Sequence, residues 1–217
     1  LFTWVNGVPA GEQSVQGQRY EGALQVALGA GENRIEVSVL NSRGAESLRA
    51  LVNVRQNKAV KPALHVVSLG VSDYQDDALD LAYAHKDSQD LALQLAKNAK
   101  GKYSEVVTYM LVNEDVTQDM IQQLLEPLGK LDVNDTLLLF VAGHGVHDSD
   151  SESTWYFLTH EANLDDLAGS AVPFELLEDL LAKSPARHKL FLMDACESGE
   201  LEEDWLALAS PPGNMRA

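Results

Sequence analysis

From Ala63 onward, short apolar runs alternate with stretches of helical periodicity, and this alternation restricts the fold more than any other feature of the chain. Leu64 to Leu69 is an apolar, β-rich run that ends at Gly70. Glu105 to Leu111, Leu137 to Ala142, Trp155 to Leu158 and Lys189 to Met193 read as further strands. Between them, Leu79 to Ala99 sets Leu81, Ala84, Leu91, Leu95 and Ala96 at helical spacing. Thr117 stands where the N-cap of a helix running through Leu128 belongs, and Pro173 to Leu181 reads as another helix. Strands alternating with helices predict an α/β fold whose mostly parallel sheet is covered on both faces. Such sheets build their sites at the carboxyl ends of strands. Three places qualify: after Leu69, after Ala142 and after Met193.

The first 57 residues follow a different pattern. Phe2 to Val5 leads into the turn Asn6-Gly7, Tyr20 to Leu28 reads as a strand, and Gly29 to Asn33 as a turn. Ile35, Val37 and Val39 then alternate with Glu36 and Ser38 in a period of two. Asn41 to Gly44 forms another turn, and Leu48 to Val54 a last strand. This predicts a small antiparallel sheet, part of a β-sandwich; complete sandwich domains need about 100 residues. The expected organisation is a partial sandwich-like connector domain over 1–57, a linker over 58–62, and a second domain over 63–217. Because the chain opens at Leu1 with no signal peptide, it reads as a piece of a longer protein.

Composition narrows the function. Acidic residues number 33 against 16 basic ones, a formal charge of −17. Such a field repels nucleic acid and anionic lipid and attracts cationic segments. No apolar run approaches the roughly 18 residues of a membrane span, so no membrane partner is expected. Cys196 is the only cysteine, which excludes an intrachain disulfide. A lone thiol fits a reducing compartment, here the cytoplasm, or a reactive role.

Two of the strand ends carry reactive residues. Gly143-His144-Gly145 follows LLLFVA, and Asp194-Ala195-Cys196-Glu197-Ser198-Gly199 follows KLFLM. A cysteine nucleophile needs a base within hydrogen-bond reach, and neighbouring parallel strands bring two such residues to one rim. Each residue alone reads more simply, His144 as a loop histidine and Cys196 as a small buried hydrophobe. The two together, with the only cysteine at a strand end and glycine on both sides of the histidine, favour a nucleophile–base pair.

The spacing then carries a resemblance. Cys196 lies 52 residues after His144, and caspases place their histidine about 50 residues upstream of the cysteine. The block DACESG, with LHVVSLGVSDYQDDALDLAYAHKDSQDLALQL, VAGHGV and YFLTHEAN in the same order, resembles the prokaryotic branch of that family, the metacaspases and orthocaspases. The resemblance covers Pro62 to Gly199 and implies a caspase-like cysteine endopeptidase, of which this chain holds the large-subunit part. It implies an oxyanion hole from the backbone N–H groups of Gly145 and Cys196. It also implies an S1 pocket floored by Asp194 and Asp87, selective for protein substrates with Arg or Lys at P1. The chain's own small subunit becomes a partner. So does an upstream sensor or activating protease, since the family is made as zymogens cut in the linker after the nucleophile. The ending PPGNMRA, with Arg216, looks like such a linker. Glu197 departs from the pattern: many metacaspases have histidine there, and a carboxylate opposes the thiolate.

No cofactor is expected. His144 and His147 make H-x-x-H beside Asp148 and Asp150, but no cysteine or glutamate completes a zinc set. The acidic loops Asp148 to Glu152 and Glu200 to Asp204 leave calcium open, because some metacaspases need it. The rival function is a non-catalytic caspase-like interaction module; the presence of both His144 and Cys196 argues against it.

Overall fold

The computed structural model describes residues 1–148 and 153–195, and its contacts divide between Val60 and Lys61 into two compact units. The first unit is a single antiparallel sheet of four strands, β1 (Phe2–Val5), β2 (Val8–Glu12), β3 (Gly31–Ser38) and β4 (Ala50–Gln56), in the order β2-β1-β3-β4. Asn6 and Gly7 make the β1–β2 turn with φ of 56° and 81°, the left-handed pair that suits a two-residue hairpin. The strand expected over Tyr20 to Leu28 does not form. Both edges of β1 are already occupied, by β2 and β3, so this segment finds no ladder there.

The period of two in β3 holds, but burial does not follow polarity. Glu36 and Ser38 are buried, while Ile35 and Val37 are only half-buried. The buried polar groups are satisfied: Glu36 pairs with Arg34 at 3.0 Å and Ser38 donates to Glu46 at 2.5 Å. Arg49 lies 3.8 Å above the Trp4 ring on the Glu36 side of the sheet.

The second unit is an α/β layer structure. Its main sheet holds β5 (Leu64–Gly70), β6 (Val106–Val112), β7 (Thr136–Gly143) and β11 (His188–Ala195), all parallel, in the order β11-β7-β5-β6. β5 and β7 are buried along almost their whole length, as continuous apolar strands covered on both faces must be. A small antiparallel sheet, β8 (Gly145–His147), β9 (Trp155–Phe157) and β10 (Val172–Pro173), follows β7.

Helix α1 (Ala84–Asn98) covers the face carrying Leu64, Val66, Leu138, Phe140 and Ala142, with Ala92 fully buried against it. Helices α2 (Gln118–Gln123) and α3 (Leu125–Leu128) precede β7. After β9 come α4 (Leu167–Ser170) and α5 (Phe174–Ala182), and Phe174 stacks on Phe191 of β11's opposite face. Among the described residues no helix is long and apolar enough to cross a membrane.

Two helices differ from expectation. Residues 80–83 are not helical; a short 3-10 turn over Asp77–Leu79 precedes them and α1 begins at Ala84. The expected helix from Thr117 to Leu128 is broken at Leu124, because Pro127 has no N–H to return to the carbonyl of Gln123. Thr117 does cap it, accepting from the Met120 N–H at 3.2 Å.

The chain leaves β5 toward β6 on one side, whereas β7 and β11 lie on the other. The carboxyl ends of β5 and β7 therefore flank the topological switch point, where open α/β sheets leave a crevice.

Candidate active site

His144 follows the last residue of β7, and three main-chain features fix its place. Gly143 has φ of +152°, and a Cβ on it would come within 2.9 Å of Phe157 and 3.1 Å of the Tyr74 hydroxyl. Only glycine allows the chain to turn there at so close an approach. The His144 carbonyl accepts from the Leu158 N–H at 3.0 Å, and its N–H donates to the Tyr74 hydroxyl at 3.1 Å.

The imidazole is held by the loop after β5. His144 Nε2 lies 2.9 Å from the Leu79 carbonyl oxygen. A carbonyl can only accept, so Nε2 carries the hydrogen and, in the neutral ring, Nδ1 keeps its lone pair. The Tyr74 ring lies 5.4 Å from the imidazole, tilted by 42°. The loop itself is tied from three directions. Asn113, after β6, accepts from the N–H groups of Ser72 and Asp73 at 2.9 and 3.3 Å. Ser72 accepts the His85 N–H of α1 at 2.9 Å, and Gln75 donates to the His160 carbonyl at 2.9 Å.

Gly145 opens β8 opposite Phe157. The hydrogen bonds Leu158 N–H to His144 and Asp148 N–H to Thr154, at 3.0 and 2.8 Å, mark 144/158 and 148/154 as bonded pairs of this antiparallel ladder. Bonded and non-bonded pairs alternate, so 145/157 is non-bonded and the Gly145 N–H points away from β9. Among the described residues β8 is the edge of its three-stranded sheet, so no strand receives that N–H, and Gly145 itself is buried.

β11 lies beside β7 in parallel register, Asp194 opposite Ala142 and Ala195 opposite Gly143. Cys196, next in sequence, lies outside the described residues, as do Glu197, Asp150 and the acidic loop after Gly199. Asp194 is exposed and shares with Ala142 the sheet face that α1 covers. Asp87 is exposed in the first turn of α1. Among the described residues neither carboxylate accepts a hydrogen bond, and Asp87 adds to the negative field around Lys86. Each imidazole of H-x-x-H is held on one side by a carbonyl, His144 Nε2 by Leu79 and His147 Nδ1 by Ser153 at 2.6 Å. Among the described residues no group of three or more His, Cys, Asp or Glu side chains is placed to hold a metal ion.

Sequence reasoning missed Tyr74, Leu79 and Asp80. The strand-end rule had marked the end of β5, yet no reactive side chain stands there. The group supplied is a backbone carbonyl, which no residue type advertises.

Comparison with known proteins adds the lineage. A family model described as the caspase domain of peptidase C14 matches residues 65–212, more than half of the chain and a span that includes His144 and Cys196. A crystal structure of a protein from Geobacter sulfurreducens is similar at 17% identity and a TM-score of 0.49; the match covers 67% of this chain and 55% of that one. No curated protein matches the chain.

Proposed function

The chain belongs to the caspase-domain family of peptidases, and on that premise we propose that it is a metacaspase-type cysteine endopeptidase with Cys196 as nucleophile and His144 as base. The observation that carries this reading is the register of β11 on β7. Ala195 stands opposite Gly143, so the residues that come next in sequence on the two strands are the proposed nucleophile and base. The hydrogen on Nε2 supports it further, since the lone pair stays on Nδ1.

The chemistry runs as acyl transfer. The Cys196 thiol gives its proton to His144 Nδ1 and the thiolate attacks the scissile carbonyl carbon. The resulting oxyanion is met by the N–H groups of Gly145 and Cys196; the direction of the Gly145 N–H, away from β9, favours this role. The imidazolium then protonates the leaving amine as the C–N bond breaks. His144 next takes a proton from water, which attacks the thioester and frees the thiol and the new carboxyl group.

Asp194 and Asp87 are the proposed floor of an S1 pocket for Arg or Lys. Both are exposed and bear no hydrogen bond among the described residues. The small subunit is the proposed cover for β11: Leu190 and Leu192, on the α1 side of this edge strand, are 47% and 37% exposed. Activation by an upstream module, or by cleavage after Gly199 with Arg216 as one site, completes the reading.

The test compares wild type with Cys196→Ala, His144→Ala and Asp194→Asn on peptides with Arg or Asp at P1. Cys196→Ala and His144→Ala should each lower kcat by ~10³-fold or more. Asp194→Asn should cut kcat/KM for the Arg peptide by ~10–100-fold, as befits a lost charge-assisted bond. Turnover by clean Cys196→Ala would mean another nucleophile, and cleavage after Asp would end the basic-P1 assignment. Mass spectrometry of wild type beside Cys196→Ala checks processing: a fully active wild type that stays uncut after Gly199 rules it out.

A further inference from the structure

We propose that Tyr74 is a positioning residue for His144, with Asp80 as the anchor that holds Tyr74 and Leu79 in one fixed loop. The inference rests on the reading of His144 as the base and concerns how that base is aimed.

Tyr74 is 2% exposed, and a buried phenol needs partners for its hydroxyl. Its hydroxyl donates to the Val71 carbonyl at 3.4 Å and accepts from the His144 N–H at 3.1 Å. The second bond is unusual for its place in the fold. Residues 144 and 158 face each other as a bonded pair, in which each would normally donate to the other. Only the Leu158 N–H donates across; the His144 N–H turns to Tyr74 instead. The hydroxyl thus diverts the His144 peptide from the ladder, at the residue that follows the glycine with φ of +152°.

The ring does a second thing. Tilted at 5.4 Å from the imidazole, it borders one side of the base. A phenylalanine would supply the same border, so the hydroxyl is the part that sets the backbone.

The anchor closes the circuit. The Tyr74 N–H donates to Asp80 Oδ1 at 2.9 Å, and Asp80 follows Leu79, whose carbonyl accepts from His144 Nε2 at 2.9 Å. Backbone grip and imidazole grip therefore sit on one short loop, and the Asp80 carboxylate is the side chain that ties the Tyr74 end of it to the Leu79 end.

Tyr74→Phe in the full-length protein tests the hydroxyl, with the 68% exposed Tyr83 replaced by Phe as control. Expected for Tyr74→Phe are a fall in kcat of ~10–100-fold with KM within roughly twofold, as misplacement of a catalytic group gives, and a displaced or broadened His144 Nε2–H resonance by NMR. The Tyr83→Phe control should move neither. A kcat within about twofold of wild type, or an unmoved His144 resonance, overturns the proposal. Should Tyr74→Phe fail to fold, the exposed Asp80 decides. Asp80→Ala should reproduce both effects, and Asp80→Asn, which keeps an acceptor for the Tyr74 N–H, should restore most of the loss. Equal damage from Ala and Asn, or none from either, counts against it. An active His144→Ala variant would instead sink the base assignment, and the NMR readout would still report whether Tyr74 positions the ring.

Discussion

Gly143 shows how much of the site depends on one missing carbon atom. Its φ of +152° and the atoms of Phe157 and Tyr74 around it leave no room for a Cβ. Gly143→Ala should cost about 1–3 kcal/mol of stability from backbone strain. It should also displace His144, so kcat should fall by more than the melting temperature alone explains. Thermal melts beside peptide hydrolysis measure the two effects. A stable protein with wild-type kcat would show that the turn into His144 tolerates ordinary backbone angles. The glycines around His144 were visible in the sequence, and so was the histidine itself. The partner that gives the imidazole its tautomer was not, because it reaches the ring from 65 residues away and is a backbone carbonyl.

At the scale of elements, α1 meets β5 at its first turns. A Cβ on Gly70 would stand 2.5 Å from Ser88 Cβ and 2.7 Å from the Ala84 carbonyl, so the first turns of α1 rest directly on the end of β5. Ser68 and Ser88 bond to each other within that contact at 2.8 Å. Gly70→Ala must push α1 off the strand, an overpacking that should cost about 2–3 kcal/mol. Denaturant unfolding would register this as a lower midpoint with an unchanged slope. No loss would mean that the helix shifts freely on the sheet. The periodicity from Leu81 onward made residues 80–83 look helical. They are drawn instead into the loop that grips His144, where Asp80 bonds to the Tyr74 backbone. Tertiary hydrogen bonds outweighed a weak local preference.

For the whole molecule, the charge of −17 is the property that a substrate meets first. Near His144, Asp73, Asp76, Asp77, Asp80, Asp87 and Asp90 fall within one short stretch, and its one lysine, Lys86, is paired with Asp90. The acidic field should draw a cationic peptide toward the crevice. We expect kcat/KM for an Arg peptide to fall roughly threefold or more as salt rises from about 0.01 to 0.15 M, where the screening length shrinks from about 30 to 8 Å. A neutral peptide of the same length should show little change. Equal salt dependence for both would put the effect on the enzyme's stability and not on attraction. The sequence by itself determined the parallel sheet, because a strand buried on both faces must be apolar at every position and that is a local property. It pointed to His144 and Cys196 as the residues that follow two of the strands for the same reason: residue type and position are both local. Only the tertiary structure decided that β11 registers on β7 with Ala195 opposite Gly143, that the loop after β5 supplies a carbonyl to the His144 imidazole, and that Tyr20 to Leu28 stays out of the first sheet. Each of these depends on which backbone groups of distant segments meet, and every residue carries the same backbone.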